Sequence, residues 1–483
     1  MLNLQPISNV VGVLLVILGF CMLLCLPVSW YYASGDGSAL FNSGAITCIT
    51  GILLWKYKFN NNKNALNKRE GYMIVALSWL FMSIFCAIPY YLSGVLHNPV
   101  DALFESVSGL TTTGASVVKD IEILPKGILI WRSMTQWLGG MGIIVLTIAV
   151  FPLLGIAGIE LFTAEAPGPT TDKIHPRIKE TAKRLWLLYV IITLILVVIL
   201  YLEGMSLFEA FNHGFTTMAT GGFSTRNASA AAFSPMIQYT LTIFMAIAGV
   251  NYFVIYSLVK GRFGKAWTNE EFRLYILTIL FFTSLVMIGV YHHSELGLEK
   301  AFRDSIFQVV SLITTTGFVS ADYESFGYGV TAVCFIMLFI GASAGSTAGG
   351  IKIIRHLVFI KNTGLEFKRI LHPRAMIRLK INQAIVAPRV LTHILVFLLI
   401  YLAVFVTGVI SLGILDVDLL TAAGATATCL GNVGPGIGKV GPMFNFAELS
   451  DASKAILSFI MVVGRLELFT ILVLFTPYFW KLN

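Results

Sequence analysis

The chain has 483 residues, 57% hydrophobic and 12% charged, with a mean hydropathy of +0.82 and a formal net charge of +8. Soluble globular chains carry about 25% charged residues, so this composition excludes a soluble module and indicates a polytopic membrane protein. The positive charge does not call for nucleic acid, because the basic residues gather in loops that alternate along the chain, as cytoplasmic loops do.

The opening "MLNLQPISNV" lacks a basic leader, and no small-residue cleavage site follows the first apolar run, which reads as a retained helix rather than a signal peptide. Runs of about 20 apolar residues, enough to cross roughly 30 Å of hydrocarbon as a helix, lie at 10–33, 38–55, 71–96, 128–155, 184–203, 236–258, 273–291, 329–360, 389–413 and 453–480. Ten spans are thus expected. Basic residues fall between spans two and three (Lys56, Lys58, Lys63, Lys68, Arg69), four and five (Lys173 to Arg184), six and seven (Lys260 to Arg273), and eight and nine (Lys352 to Arg389). Both termini then lie in the cytoplasm. The six cysteines sit in apolar stretches without a CxxC pair and read as packing residues.

Polar blocks interrupt the apolar pattern. "ALFESVSGLTTTGASV" from Ala102, "AFNHGFTTMATGGFST" from Ala210, "SIFQVVSLITTTGFVS" from Ser305 and "AAGATATCLGNVGPGI" from Ala422 each carry a glycine twelve residues after their start: Gly114, Gly222, Gly317 and Gly434. The intervals are 108, 95 and 117 residues, and each holds a polar run, a spanning helix, a basic loop and a spanning helix. Such repetition governs the fold. The expected architecture is an all-α polytopic membrane protein, with two N-terminal helices followed by four fused helix–re-entrant pore loop–helix repeats around a pseudo-fourfold pore. Its divisions are 1–70, 71–183, 184–270, 271–388 and 389–483.

A helix of about 12 residues is about 18 Å long, too short to cross, so each block enters and leaves on one side. Non-helical backbone at membrane depth is tolerated where it is buried or lines a water-filled cavity. The half-helices aim their partially negative C-termini at a common axis, and the Thr and Gly carbonyls that follow can replace a cation's hydration shell. The expected filter for such a cation is Thr112, Thr113, Gly114, Thr220, Gly221, Gly222, Thr315, Thr316, Gly317, Asn432, Val433 and Gly434.

These motifs ("TTTGAS", "ATGGFS", "TTTGF", "GNVGPG") and "GASAGSTAGGIK" from Gly341 resemble those of the Trk/Ktr/HKT superfamily of K⁺ transporters. The likeness spans nearly the whole chain, and the two extra N-terminal helices place it with the TrkH/TrkG branch. The resemblance implies bacterial inner-membrane K⁺ uptake through a channel-like filter. It also implies a homodimer and a TrkA-like cytosolic regulator that binds a nucleotide, ATP or NAD; no cofactor is expected on this chain itself. A serine at the first filter glycine would have pointed to Na⁺, and Gly114 favours K⁺. Passive flow and symport with H⁺ or Na⁺ stay open, as do a Na⁺ or unselective pathway and a proton-coupled carrier of a larger solute, although a carrier calls for two-fold repeats.

Enzyme motifs fail on context. "GASAG" around Ser343 fits a nucleophile elbow but lies in an apolar helix rather than a strand-turn-helix, and "GIGKVG" at 436–441 follows a pore turn rather than a strand. His213 reads as a packed or hydrogen-bonded side chain behind the pore.

Arg465, in the middle of the last span, is costly in hydrocarbon and is expected to face the pore, the alternative being an ion pair with another helix. The stretch Gly345, Ser346, Thr347, Ala348, Gly349 and Gly350 cannot hold a lipid-facing helix. It is the expected gate, leading into Lys352 and Arg355 at the cytoplasmic interface. Residues 375–382 alternate apolar and basic, which suggests a strand or hairpin for the regulator or for anionic membrane lipids, or a merely solvated, topology-setting charge run.

Overall fold

The computed structural model describes residues 3–57, 68–142, 178–293 and 297–481. The basic-loop positions Lys58, Lys63 and Lys173, and the far part of the span expected at 128–155, lie outside the described residues.

Two N-terminal helices, Leu4–Leu24 and Gly37–Lys56, pack backbone to backbone. A Cβ on Gly12 would stand 2.6 Å from the Gly51 carbonyl, and one on Gly19 would stand 2.8 Å from that of Gly44. Glycines seven apart on each helix therefore form the contact, the small-residue crossing that lipid-embedded helices use where no hydrophobic drive separates protein from solvent. Asp36 ties this pair to the first repeat: its carboxylate accepts from Ser29 and Ser34 and, through Oδ2, from the backbone N–H of Ile128 at 2.7 Å.

Each repeat opens with a long helix (Lys68–Leu92, Ile178–Leu202, Glu270–His293, Pro388–Ile414). A short pore helix follows (Pro99–Leu110, Leu207–Met218, Leu298–Ile313, Leu419–Gly431). Three of these short helices start on side-chain caps, Asn98, Ser206 and Asp418 accepting from Val100, Glu209 and Thr421 backbone N–H groups.

The return helices of repeats two and four depart from the expected single span, and that of repeat three is broken at its glycine-rich stretch, as expected. In repeat two, Pro235–Ala248 and Tyr252–Val259 meet at 108°; in repeat four, Asp451–Arg465 and Phe469–Phe475 meet at 109°. In repeat three, Tyr328–Met337 stops, and helix resumes only at Ile353–Leu371. In repeat one, Lys126–Trp137 runs into a π-turn at Leu138–Gly142. Among the described residues six helices are long and apolar enough to cross a membrane, or eight if each bent pair counts as one span, against the ten expected. The breaks have local causes: Asn251 restarts its helix by accepting from the Phe253 N–H, and Glu467 and Leu468 adopt φ of 56° and 58°.

The segment expected as a basic loop between spans eight and nine is largely helix (Ile353–Leu371), followed by a hairpin. Lys380 pairs with Ile385 and Ile381 with Ala384, and Asn382 and Gln383 supply the two positive φ values (48° and 66°) of a tight two-residue turn.

Candidate functional site

All four pore helices end in the same way. The residues Thr112, Thr220, Thr315 and Asn432 take left-handed conformations with φ of 54–55°. Each donates its N–H three residues back, and the next residue donates five back: Thr113 to Ser108, Gly221 to Thr216, Thr316 to Ser311, and Val433 to Thr428, at 2.8–3.0 Å. This double bond is the Schellman closure, normally built on glycine. Asparagine tolerates that conformation, but a β-branched threonine there is an outlier and carries about 1–2 kcal/mol of strain. Three such threonines at equivalent positions mark strain of the kind that clusters at functional sites.

The glycines that follow, Gly114, Gly222, Gly317 and Gly434, also have positive φ (82°, 76°, 81° and 108°). A Cβ on Gly114 would collide with the Gly221 carbonyl, one on Gly222 with that of Thr316, one on Gly317 with that of Val433, and one on Gly434 would stand 2.8 Å from that of Thr113. Each glycine thus abuts the residue that precedes the glycine of the next repeat, and the fourth returns to the first. The four predicted segments form a closed ring of backbone, and a cavity of about 270 Å³ opens on it, lined by all four glycines.

Side chains brace the ring. Asn432 Nδ2 donates to Thr113 Oγ1 across repeats at 3.0 Å, and the hydroxyls of Thr111 and Thr113, and of Thr314 and Thr316, pair at 2.7 Å. Gln136, which the sequence reading did not single out, donates to the Gly221 carbonyl at 2.6 Å and accepts from the Phe223 N–H at 3.1 Å. His213 is fully buried; its Nδ1 donates to the Glu209 carbonyl at 2.8 Å, so in the neutral ring Nε2 accepts from the Ser224 hydroxyl at 3.0 Å.

The glycine-rich stretch of repeat three is non-helical, as expected, and reaches repeats two and four. Its base is closed by Gly341 donating to Ile351 and Ile353 donating to Ala342. The Gly349 N–H donates to Thr315 Oγ1 at 2.7 Å, and Thr347 Oγ1 lies 3.1 Å from the Met218 carbonyl and 3.3 Å from that of Ala248. A Cβ on Gly349 would stand 2.6 Å from the Gly431 carbonyl, so only glycine passes beneath the fourth segment. Gly345 accepts from the Tyr252 N–H, and Glu271 accepts from that of Ala344 at 2.6 Å. Gly345 and Gly350 have φ of 72° and 64°. Ser346 turns inward to the Ser343 carbonyl.

Arg465 is half-buried and donates to three carbonyls: Thr347 at 2.9 Å, Gly139 at 2.8 Å and Gly140 at 2.9 Å. It thereby joins repeats four, three and one. Lys352 and Arg355, expected at the cytoplasmic interface, are buried instead, 8% and 4% exposed. Lys352 donates to the Ala348 carbonyl. Arg355 pairs with Glu467 at 2.5 Å and lies over the Phe397 ring at 3.8 Å, so its charge is spent on the break in the last repeat. No group of three or more His, Cys, Asp or Glu side chains that could hold a metal ion occurs among the described residues.

Residues 36–481 match the family described as TrkH, cation transport protein. The chain is 39% identical to the Trk system potassium uptake protein TrkH of Salmonella typhimurium, over 99% of this chain and 100% of that protein. It is 31% identical to the Trk system potassium uptake protein TrkG of Escherichia coli K12, over 99% of each. The crystal structure of the potassium transporter TrkH from Vibrio parahaemolyticus superposes with a TM-score of 0.89 at 34% identity, over 99% of this chain and 100% of that one.

Proposed function

We propose, from the premise that the chain belongs to the TrkH family of cation transport proteins, that it takes K⁺ into the cell across the bacterial inner membrane through the ring at Gly114, Gly222, Gly317 and Gly434. The observation that carries this reading is the left-handed closure shared by all four pore helices, strained at three threonines, which turns the chain into the ring and leaves carbonyls to replace an ion's water shell. No group for covalent chemistry is needed, and the protein is not an enzyme.

In this reading the stretch Gly345–Gly350, seated on Thr315, Met218 and Gly431, is the gate, and Arg465 and Lys352 hold it shut through Thr347 and Ala348. The five divisions at 1–70, 71–183, 184–270, 271–388 and 389–483 act as one N-terminal unit and four pore repeats. Both termini face the cytoplasm, two copies associate, and a TrkA-like nucleotide-binding regulator acts from inside, on the face that carries the 380–385 hairpin. The deciding experiment is flux into liposomes containing the purified chain: K⁺ entering faster than Na⁺ supports the reading, and equal rates make the pathway an unselective one.

A further inference from the structure

Behind the ring lies a second set of equivalent positions. Glu105, His213, Gln308 and Ala425 each stand nine residues before the filter glycine of their repeat. The first three brace the chain just beyond that glycine. Glu105 accepts from Ser116 Oγ at 3.0 and 3.1 Å and from the Val117 N–H at 3.0 Å. His213 meets Ser224 Oγ at 3.0 Å, and Gln308 Nε2 reaches Ser320 Oγ at 3.4 Å and the Ala321 carbonyl at 2.9 Å. Ala425 has no polar group to offer. The chain beyond Gly434 is held from repeat three instead, by the Tyr323 hydroxyl on the Gly436 carbonyl and Glu324 accepting from the Gly438 N–H at 2.7 Å. That quadrant also stands apart in the ring, with φ of 108° at Gly434 against 76–82° elsewhere.

The first brace is charged. Arg132 Nη2 stands 2.7 Å from Glu105 Oε1, with the two side chains 1% and 0% exposed. The same guanidinium donates to Ser116 Oγ at 3.2 Å and to the Ser224 carbonyl at 3.4 Å, and lies over the Phe223 ring at 4.1 Å. One side chain therefore clasps the post-filter segments of repeats one and two. A buried ion pair is weak evidence for stability, since desolvation offsets most of its attraction, and its best-attested use is to fix a geometry. Glu105 also cancels a positive charge that lines the cavity outside the ring and would repel an arriving cation.

We infer that Glu105, His213 and Gln308 are positioning residues for the filter, and that the Glu105–Arg132 pair sets discrimination between K⁺ and Na⁺ by holding the carbonyls of repeats one and two at a fixed spacing. This inference rests on the filter reading above. The test measures K⁺ and Na⁺ entry into liposomes holding the full chain, for the wild type, Gly114→Ser, the double variant E105Q/R132Q, R132K and Q308L. The double variant removes both charges and leaves neither buried alone. Its K⁺ over Na⁺ ratio should fall by about tenfold, the scale of losing one buried charge-assisted hydrogen bond, while R132K, which keeps the charge, recovers part of the loss. An unchanged ratio in a normally assembled double variant, with Gly114→Ser lowering it, overturns the inference and leaves the filter standing. An unchanged ratio in both overturns the filter reading as well. If the double variant fails to assemble, Q308L decides with no charge involved: a lower ratio supports positioning, and an unaltered one refutes it.

Discussion

Arg465 donates to the carbonyl of Thr347 at 2.9 Å, joining the bend of the last repeat to the middle of the glycine-rich stretch of the third. Two further carbonyls, Gly139 and Gly140, share the guanidinium. A planar fork suits three acceptors in a way that a lysine point charge does not, and hydrogen bonds to a charged group are worth about 1.5–3 kcal/mol each.

Arg465→Ala should therefore loosen the stretch from repeats one and four, raising K⁺ flux by about tenfold for each 1.4 kcal/mol of released restraint if the stretch is the gate. Arg465→Lys should fall between. Flux into liposomes at matched protein content checks this. A variant that loses yield without gaining rate would show that the arginine is structural only.

The ring predicts a ranking among its own glycines. A Cβ on Gly114, Gly222 or Gly317 collides outright with the neighbouring carbonyl, whereas on Gly434 it stands 2.8 Å away. Serine at any of the first three should lower the K⁺ over Na⁺ ratio more than Gly434→Ser does. Equal effects at all four would mean that carbonyl crowding does not set ion choice.

The four blocks were legible because short amphipathic helices ending in Thr/Gly recur in phase, whereas the alternation over 375–382 overlaps only the first strand of the hairpin, which lies at 380–385. The bends near Asn251 and Glu467 were not legible, because apolar residues flank both closely enough to read as one span and hydropathy cannot see a change of direction. Nor does the name threonine announce a left-handed backbone at Thr112, Thr220 and Thr315; only Asn432 carries that hint. Lys352 and Arg355 looked like interfacial charge because the acceptors that bury them, the Ala348 carbonyl and Glu467, depend on a fold-back and on a contact 112 residues away. Arg132 was within reach: an ionisable residue inside "ILIWRSMTQW" is the signal that singled out Arg465.

Arg355 and Glu467 make a stability prediction. Both are largely buried, at 5% and 17% side-chain exposure, with oxygen and nitrogen 2.5 Å apart. Arg355→Ala takes away the hydrogen-bonded partner of the Glu467 carboxylate and leaves only the charge of Lys352 facing it, which costs up to about 3–5 kcal/mol, so the thermal midpoint in detergent should drop by several degrees. The double variant Arg355→Leu/Glu467→Leu should recover most of it. A single variant as stable as the wild type would mean that water reaches Glu467 at the bend.

The last prediction concerns the stretch itself. Gly341 and Ala342 pair with Ile351 and Ile353 across its base, so removing Gly345 to Gly349 leaves a short turn, Ala342 to Ala344 and Gly350, to close between them. The deletion takes out Thr347, with its contacts to Met218, Ala248 and Arg465, and it takes out the Gly349 N–H that donates to Thr315. It leaves the ring glycines and the Schellman closures untouched. If the stretch obstructs the path beneath the ring, K⁺ flux should rise in the absence of any cytosolic regulator, while the K⁺ over Na⁺ ratio stays near that of the intact chain. A correctly assembled deletion variant with unaltered flux would leave these glycines as the packing surface on which Gly431 and Thr315 rest.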